Sequence, residues 1–371
     1  MELFNHQKEG IRLLKEKNRA ILADSMGLGK SRQAIVAAKE SNASGILIVC
    51  PASLKINWER EIKIVYPDAK VSIIYKKNEI DVNQEWTIIN YDILEREIEK
   101  IEDMVSKEKI DTLILDEAHY IKGDSIRAKA IIGGRKKKKS GEIVKFDGIS
   151  KKMNIVWCLS GTIILNRPLE LFNILKAIDH PLSKSKERYA ERYCGRFWMY
   201  RIFDGYRRMT IPSSVYYQKF NRPGVKIECR WPDDTGSSNL EELRDQIKDY
   251  MIRRKKEDVL DLPEKIISTK EFEINDEWKK EYDNAFDNYI EFMRENPIDD
   301  WNVENVLMSR QLVEVQKLKQ VCSLAKVDTI VEDINEAVYQ GEKVIVFSQY
   351  TKTIDEIVKG MKKNKIGVVK L

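Results

Sequence analysis

The sequence predicts an α/β fold, a parallel sheet with helices on both faces, on three observations. Apolar runs of strand length recur at 20–22, 45–50, 71–75, 86–90 and 112–115. Stretches of helical period separate them, the alternation that builds βαβ units. The run at 45–50, Gly-Ile-Leu-Ile-Val-Cys, is apolar without alternation, as a strand buried on both faces requires.

Taken in order, residues 4–14 read as a short helix with Phe4, Ile11 and Leu14 on one side. Gln7 on that helix has an amide able to donate to and accept from an adenine edge; a solvated glutamine is the alternative. The run 20–22 then breaks into Asp24-Ser25-Met26-Gly27-Leu28-Gly29, from which Lys30 and Ser31 open an amphipathic run. Strand, glycine loop and helix N-terminus together cradle phosphate, because backbone N–H groups and the helix dipole both favour an anion there. Gly27, Leu28 and Gly29 would supply the loop, Lys30 would reach the β/γ-phosphates of ATP, and the Ser31 hydroxyl would ligate Mg²⁺. The strict pattern has a further glycine five positions before Gly29; here it is Asp24.

The run 45–50 ends at Pro51, and the run 86–90 ends at Asn90. Residues 112–115 pass directly into Asp116-Glu117-Ala118-His119. Asp116 can hold Mg²⁺ directly or through water, and Glu117 can orient and deprotonate a water that attacks the γ-phosphate. Two acids after one strand could instead cap the next helix. The Lys30-Ser31 loop, about 85 residues upstream at the end of another predicted parallel strand, selects the ATP-hydrolysis reading.

Bulk properties bound the answer without supplying it. With 371 residues, two or three domains are expected. Hydrophobic residues make 42% and charged residues 34%, and 65 basic against 60 acidic residues leave a net charge of +5. Any basic face must therefore be local. Five cysteines without CxxC spacing read as reduced, buried or half-buried thiols. His6 and His180 lack companions at metal-ligand spacing, so no zinc is expected. No apolar run approaches ~18 residues, and MELFNHQKEG is not a signal-peptide pattern. A cytoplasmic protein of a bacterial or phage-infected cell is expected, or a nuclear one if the host is eukaryotic.

These motifs resemble those of superfamily-two helicases. Gln7 is similar to the Q motif, residues 24–31 to motif I, and 116–119 to motif II, the DEAH box. Residues 154–162, ending Ser160-Gly161-Thr162, with Asn166-Arg167-Pro168 after them, resemble motif III of the Swi/Snf branch. Residues 239–265, containing Arg253-Arg254-Lys255-Lys256, resemble that branch's lid, and with Arg192-Tyr193-Cys194 look closest to its annealing-helicase subfamily. Residues 342–350 resemble motif IV, the first strand of a second motor lobe. Ile163 stands where the family has proline, Ser25 where it has an acid, and Ser31 where it has threonine.

The resemblance implies a RecA-like first lobe, a P-loop NTPase domain, at 1–180. An aromatic and basic insert at 181–238, a lid helix at 239–265 and a helical insertion at 266–325 would follow. Residues 326–371 would open an incomplete second RecA-like lobe. Within the last 108 residues only 343–348 and 366–371 look like strands, whereas 278–294 and 305–321 read as helices. The stripe Trp278, Tyr282, Phe286, Tyr289, Phe292, Met293 is expected to pack as core. A full second lobe needs on the order of 150 residues, and the arginines of motifs V and VI do not occur. The chain is therefore expected to bind ATP and hydrolyse it weakly alone, with a second polypeptide or a missing C-terminal half completing the lobe.

The resemblance also implies double-stranded or branched DNA as partner. Pro51, Ser53 and Asn90 fall at the family's motif Ia and Ib positions, suited to backbone phosphates. Arg135, Lys136, Lys137, Lys138 and Lys139 read as a mobile basic loop placed to touch DNA phosphate. His119, Ser160, Gly161 and Thr162 are expected to couple that surface to Glu117. Residues 189–231 interleave aromatics with arginines, either as a small packed insert with a basic rim or as a DNA-facing surface. Arg253 or Arg254 either meets the first lobe's acids or lies on an exposed hinge helix. The rivals are a non-hydrolysing DNA-binding or regulatory protein and an RNA helicase.

Overall fold

Helix α1 (Asn5–Glu16) leads into strand β1 (Arg19–Leu22), and after the glycine loop α2 (Lys30–Glu40) leads into β2 (Ile46–Cys50). Then follow α3 (Lys55–Val65), β3 (Val71–Ile73), β4 (Trp86–Asn90), α4 (Tyr91–Ser106) and β5 (Thr112–Asp116). The structure, a computed structural model, describes residues 3–76, 84–137, 142–162, 167–263, 266–295, 313 and 315–370. Two compact units divide the chain: Met1–Gly205 with Thr210–Glu264, and Tyr206–Met209 with Lys265–Leu371. Among the described residues no helix is long and apolar enough to cross a membrane.

In the first unit α5 (Ile126–Ile132), a hairpin of β6 (Gly134–Lys137) and β7 (Ile143–Phe146), and α6 (Ile149–Lys152) precede β8 (Ile155–Leu159). The main sheet runs in the order β12-β1-β8-β5-β2-β4-β3, its paired strands all parallel, with β12 being Met251–Ile252. Strand alternation sorts the core onto two faces. Leu22, Ile46, Ile48, Ile114, Trp157 and Leu159 pack with Ile11, Ala34 and Trp58 of α1, α2 and α3. Leu47, Val49, Leu113, Leu115 and Cys158 pack on the other face with α4, α5 and the helix α7 (Pro168–Ala177). Each such buried apolar side chain is worth roughly 1.5–3 kcal/mol.

The register matters for the site. Leu22 lies opposite Leu159, and Leu159 opposite Asp116. The carboxyl ends of β1, β8 and β5 thus stand side by side, where a parallel sheet places its ligands.

Several expectations are corrected. Phe4 is 63% exposed, because it caps α1 and stacks on His6 rather than joining Ile11 and Leu14 in the core. The basic run expected as a mobile loop is in part a strand: Arg135 pairs with Lys145 and Lys137 with Ile143. Alternating β-compatible side chains on the partner strand outweigh charge repulsion there. Lys138, Lys139, Ile163 and Asn166 lie outside the described residues.

The lid is not one helix. After α8 (Lys186–Tyr193) and a three-stranded sheet, the segment forms α9 (Leu240–Ile247), then β12, then one turn, α10 (Lys256–Val259). The edge of β1 has open backbone groups, and β12 satisfies them: Ile21 N donates to Tyr250 O, Ala23 N to Ile252 O and Ser25 N to Arg254 O. The three-stranded sheet is β10 (Arg208–Pro212), β9 (Phe197–Phe203) and β11 (Lys226–Asp233) in that spatial order. Tyr200, Ile202 and Tyr216 are buried in this region, while Arg201 stacks on Trp231 and Arg230 on Trp198. Cys229 in β11 is exposed, against the expectation for the thiols, since that strand faces solvent along much of its length.

The second unit contains α11 (Asp276–Glu295), a helix over 315–325 that we label α12, α13 (Val327–Tyr339) and α14 (Thr351–Lys363). Ile334, Ile357 and Met361 form its small core. Gly360 lets α13 and α14 approach closely, since a Cβ there would stand 2.7 Å from Val331 Cγ2. Residues 343–348 and 366–370 are not strands. A strand needs a neighbour for its backbone groups, none pairs with these among the described residues, and Ile345 and Phe347 stay exposed. In the α11 stripe Trp278, Tyr282 and Tyr289 are half-exposed and Phe286 is exposed, so these four are not core, and Trp278 and Ala285 line an open groove with Gln320 and Leu324; the Phe292 and Met293 side chains lie outside the described ones. Residues 305–312 of the expected second helix lie outside the described residues.

Candidate active site

Gly27 and Gly29 both take positive φ, 84° and 73°, a region open to glycine and strained for other residues. Gly29 caps α2, so the loop delivers Lys30 at the helix's first position. The Lys30 ammonium donates to Asp24 O at 2.8 Å and Ser25 O at 3.3 Å, folding back over the loop. Burial pulls its pKa below the ordinary lysine value, opposed by the charges of Glu117, Asp116 and Asp24. Ser31 follows in the first turn of α2.

Asp116 ends β5 and is 6% exposed. Trp58 Nε1 donates to its Oδ2 at 2.7 Å, the Glu117 backbone N to its Oδ1 at 2.9 Å, and Tyr91 Oη to its backbone O at 2.7 Å. Burial raises the Asp116 pKa above the usual carboxylate value, and the Trp58 bond opposes the rise. Glu117 turns out of the strand at φ 48°. Its buried Oε2 accepts no hydrogen bond, although His119 Nδ1 stands 3.1 Å away. An orphaned buried carboxylate oxygen beside Asp116 suits a water or a metal-bound group. Among the described residues no cluster of three or more His, Cys, Asp or Glu could cage a metal alone. One carboxylate, one hydroxyl and phosphate oxygens are the usual donor set for Mg²⁺, and Asp116 and Ser31 fit it.

His119 Nδ1 also lies 3.4 Å from Ser160 Oγ and 3.1 Å from Thr162 Oγ1. The two hydroxyls are 3.4 Å apart. A Cβ on Gly161 would stand 3.1 Å from Met26 Cγ and 3.3 Å from Lys30 Nζ, so Gly161 abuts the glycine loop while its two neighbours face His119. Gln7 is buried with its Oε1 taken by Phe4 N at 3.1 Å, and its Nε2 closes against Gly29.

Of the residues expected at DNA, Ser53 and Arg135 are exposed and Pro51 is half-exposed. The structure places Asn90 differently: it is buried, and its Oδ1 accepts from Lys55 Nζ at 3.1 Å. Lys136 and Lys137 are placed by backbone only, on β6.

Of the two readings for Arg253 or Arg254, contact with the first lobe's acids is the one Arg254 takes, at acids the sequence did not name. Asp24, fully buried, is clamped by Arg254: Nε donates to Oδ1 at 2.9 Å and Nη2 to Oδ2 at 2.6 Å. Arg254 also donates to His6 O and to Gln33 Oε1, while Gln33 Nε2 donates to Asp24 Oδ2 at 3.3 Å and Leu28 O at 3.1 Å. The signal was present, an acid at a glycine position and a distant arginine pair, but nothing in the sequence joined residues 24 and 254.

Comparison with known proteins agrees with this geometry. Residues 6–327 match the SNF2-related domain. The chain is 29% identical over its whole length to a Caenorhabditis elegans SWI/SNF-related matrix-associated actin-dependent regulator of chromatin subfamily A-like protein 1 homolog, covering 47% of it. It is 26% identical to the human DNA annealing helicase and endonuclease ZRANB3, covering all of this chain and 31% of that protein. A Mycoplasma pneumoniae protein described as an uncharacterized ATP-dependent helicase is 26% identical across 95% of the chain and 31% of its own length. The chain thus spans half or less of these relatives. In fold it is similar to the Sulfolobus solfataricus SWI2/SNF2 ATPase core in complex with dsDNA, with a TM-score of 0.50, 20% identity, and coverage of 98% and 70%. With the parallel sheet, the glycine loop and the paired acids already placed, the match over 6–327 establishes that this chain belongs to the SNF2-related domain family.

Proposed function

We propose that the chain is the ATP-binding part of a DNA-dependent SNF2-type motor. The observation that supports this most directly is that the Lys30 loop and the Asp116–Glu117 pair follow β1 and β5, whose ends flank that of β8 at one sheet edge, where their charges act on one another. In this reading Gln7 and residues 27–31 hold ATP, with Lys30 offsetting phosphate charge. Ser31 and Asp116 hold Mg²⁺, which neutralises charge on the transferred phosphoryl group. Glu117, whose Oε2 is free of hydrogen bonds, takes the proton of the attacking water. His119, Ser160, Gly161 and Thr162 relay the state of the DNA surface, to which Pro51, Ser53 and Arg135 to Lys139 belong.

Residues 1–180 act as the nucleotide-binding lobe, 181–238 as an insert, 239–265 as the lid, 266–325 as a helical insertion and 326–371 as the opening of a second lobe. Relatives named as DNA annealing helicases support duplex or branched DNA as the partner, and cycles of lobe closure would step the motor along it in the cytoplasm or nucleus. The 371 residues by themselves turn ATP over slowly, since an arginine on the γ-phosphate is worth ~10³–10⁵ in rate and would come from a second polypeptide or further chain.

Phosphate release with and without duplex DNA, on wild type and Glu117→Gln, tests the reading. The expected result is slow DNA-stimulated release that Glu117→Gln abolishes while ATP binding persists. Release indifferent to Glu117→Gln removes the enzymatic reading, and stimulation by RNA alone replaces DNA with RNA.

A further inference from the structure

The glycine loop carries a second cation besides Lys30. Lys256 opens α10, and a Cβ built on Gly27 would stand 3.1 Å from both its Cε and its Nζ. Its stem therefore lies against the crown of the loop. The approach is built in by the backbone. β12 runs beside β1 in register, Ile21 opposite Met251 and Leu22 opposite Ile252, and Ser25 N donates to Arg254 O at 3.0 Å. Two residues before Lys256, the buried Arg254–Asp24 clamp fixes the segment to the end of β1.

Lys256 has no carboxylate partner among the described residues, and its charge acts on Lys30 as a like charge. Arg254 differs, since its charge is spent on Asp24 and Glu9. Two ammonium groups converging on one glycine loop repel each other until an anion of higher charge lies between them. That anion, by the reading above on which this inference rests, is the polyphosphate of a nucleotide.

We infer that Lys256 is a phosphate-binding residue of the nucleotide site, a second ammonium supplied by the segment after β12. Lys30 reaches the cradle from the N-terminus of α2 and Lys256 reaches it from the opposite rim of the loop, over Gly27. Ligand charge then also holds down the 254–259 segment, which otherwise is tied to the loop through Arg254 and the β12 ladder.

Calorimetric titration with adenosine, ADP and ATP tests this on wild type, Lys256→Met, Lys256→Arg and Lys30→Ala. Methionine keeps an apolar stem against Gly27 and removes the charge. The expected result is that Lys256→Met weakens ADP and ATP about tenfold or more, as for loss of one charge-assisted bond, leaves adenosine unchanged, and is largely rescued by arginine. Without nucleotide, Lys256→Met should melt at the wild-type temperature or above it, because a like-charge repulsion is gone. In amide exchange, 254–259 should gain protection on ADP addition in wild type and not in Lys256→Met. If Lys30→Ala weakens ADP while Lys256→Met stays within twofold of wild type, the Lys256 role is wrong and the cradle stands. If neither changes ADP binding, the nucleotide site itself is wrong. A Lys256→Met protein that loses adenosine and ADP equally, or melts well below wild type, makes the residue a structural prop and overturns the inference.

Discussion

Asp116 is a buried acid whose environment resists its charge, and that has a measurable sign. Its folded pKa lies above the ordinary value because burial outweighs the Trp58 and Glu117 hydrogen bonds, while in the unfolded chain an aspartate titrates near ~3.9. The folded state therefore keeps this proton to higher pH. Stability contributed by the group is full in acid and is lost as pH rises through the interval between the two values. Chemical denaturation of wild type and Asp116→Asn between pH 4 and 7 should show wild type losing ground to the variant as pH rises; a constant difference refutes the assignment. A second test at this scale concerns the hydroxyls beside His119. Ser160→Ala removes a neighbour 3.4 Å from Nδ1. ATP affinity should hold, while DNA stimulation of phosphate release falls away. Unchanged stimulation sinks the relay.

The segment around β12 is the element that decides how the loop is held. Breaking the Arg254–Asp24 pair from one side strands a buried charge, which costs about 3–5 kcal/mol; Asp24 is fully buried and the Arg254 side chain is 11% exposed. Arg254→Met should therefore destabilise by that order, Asp24→Asn by less, and the double variant by less than the sum. An additive denaturation cycle would mean that the two side chains do not act as a pair. Here lies the divide between what sequence could and could not disclose. The strands of the parallel sheet announce themselves as apolar runs, and the glycine loop and adjacent acids carry their spacing with them. By contrast, β12 is two residues long and its partner is 230 positions away, so no local pattern marks it. The lid helix is implied by the family resemblance alone, and pairing of β12 with β1 breaks that segment into helix, strand and turn. The strands expected at 343–348 and 366–371 fail for the opposite reason, since propensity without a paired neighbour does not make a ladder.

Across the whole molecule, the two units carry very different cores. The first is built on a sheet covered on both faces, whereas the second rests on Ile334, Ile357 and Met361 with half-buried neighbours. Local opening free energy follows buried apolar contact. Amides of α13 and α14 should exchange at least about a hundredfold faster than those of β1, β5 and β8 under native conditions. Equal protection in both would mean that cooperative unfolding joins them.

The carboxylate that stiffens the nucleotide loop receives its counter-charge from residue 254, so a ribosome finishes the loop long before it makes the arginine that neutralises it. During synthesis the six strands of the main sheet other than β12 can collapse around an acid whose arginine partner has not yet been made. Any excised fragment ending ahead of that arginine inherits the same defect, and would be a poor stand-in for the nucleotide-binding domain however complete its motifs look.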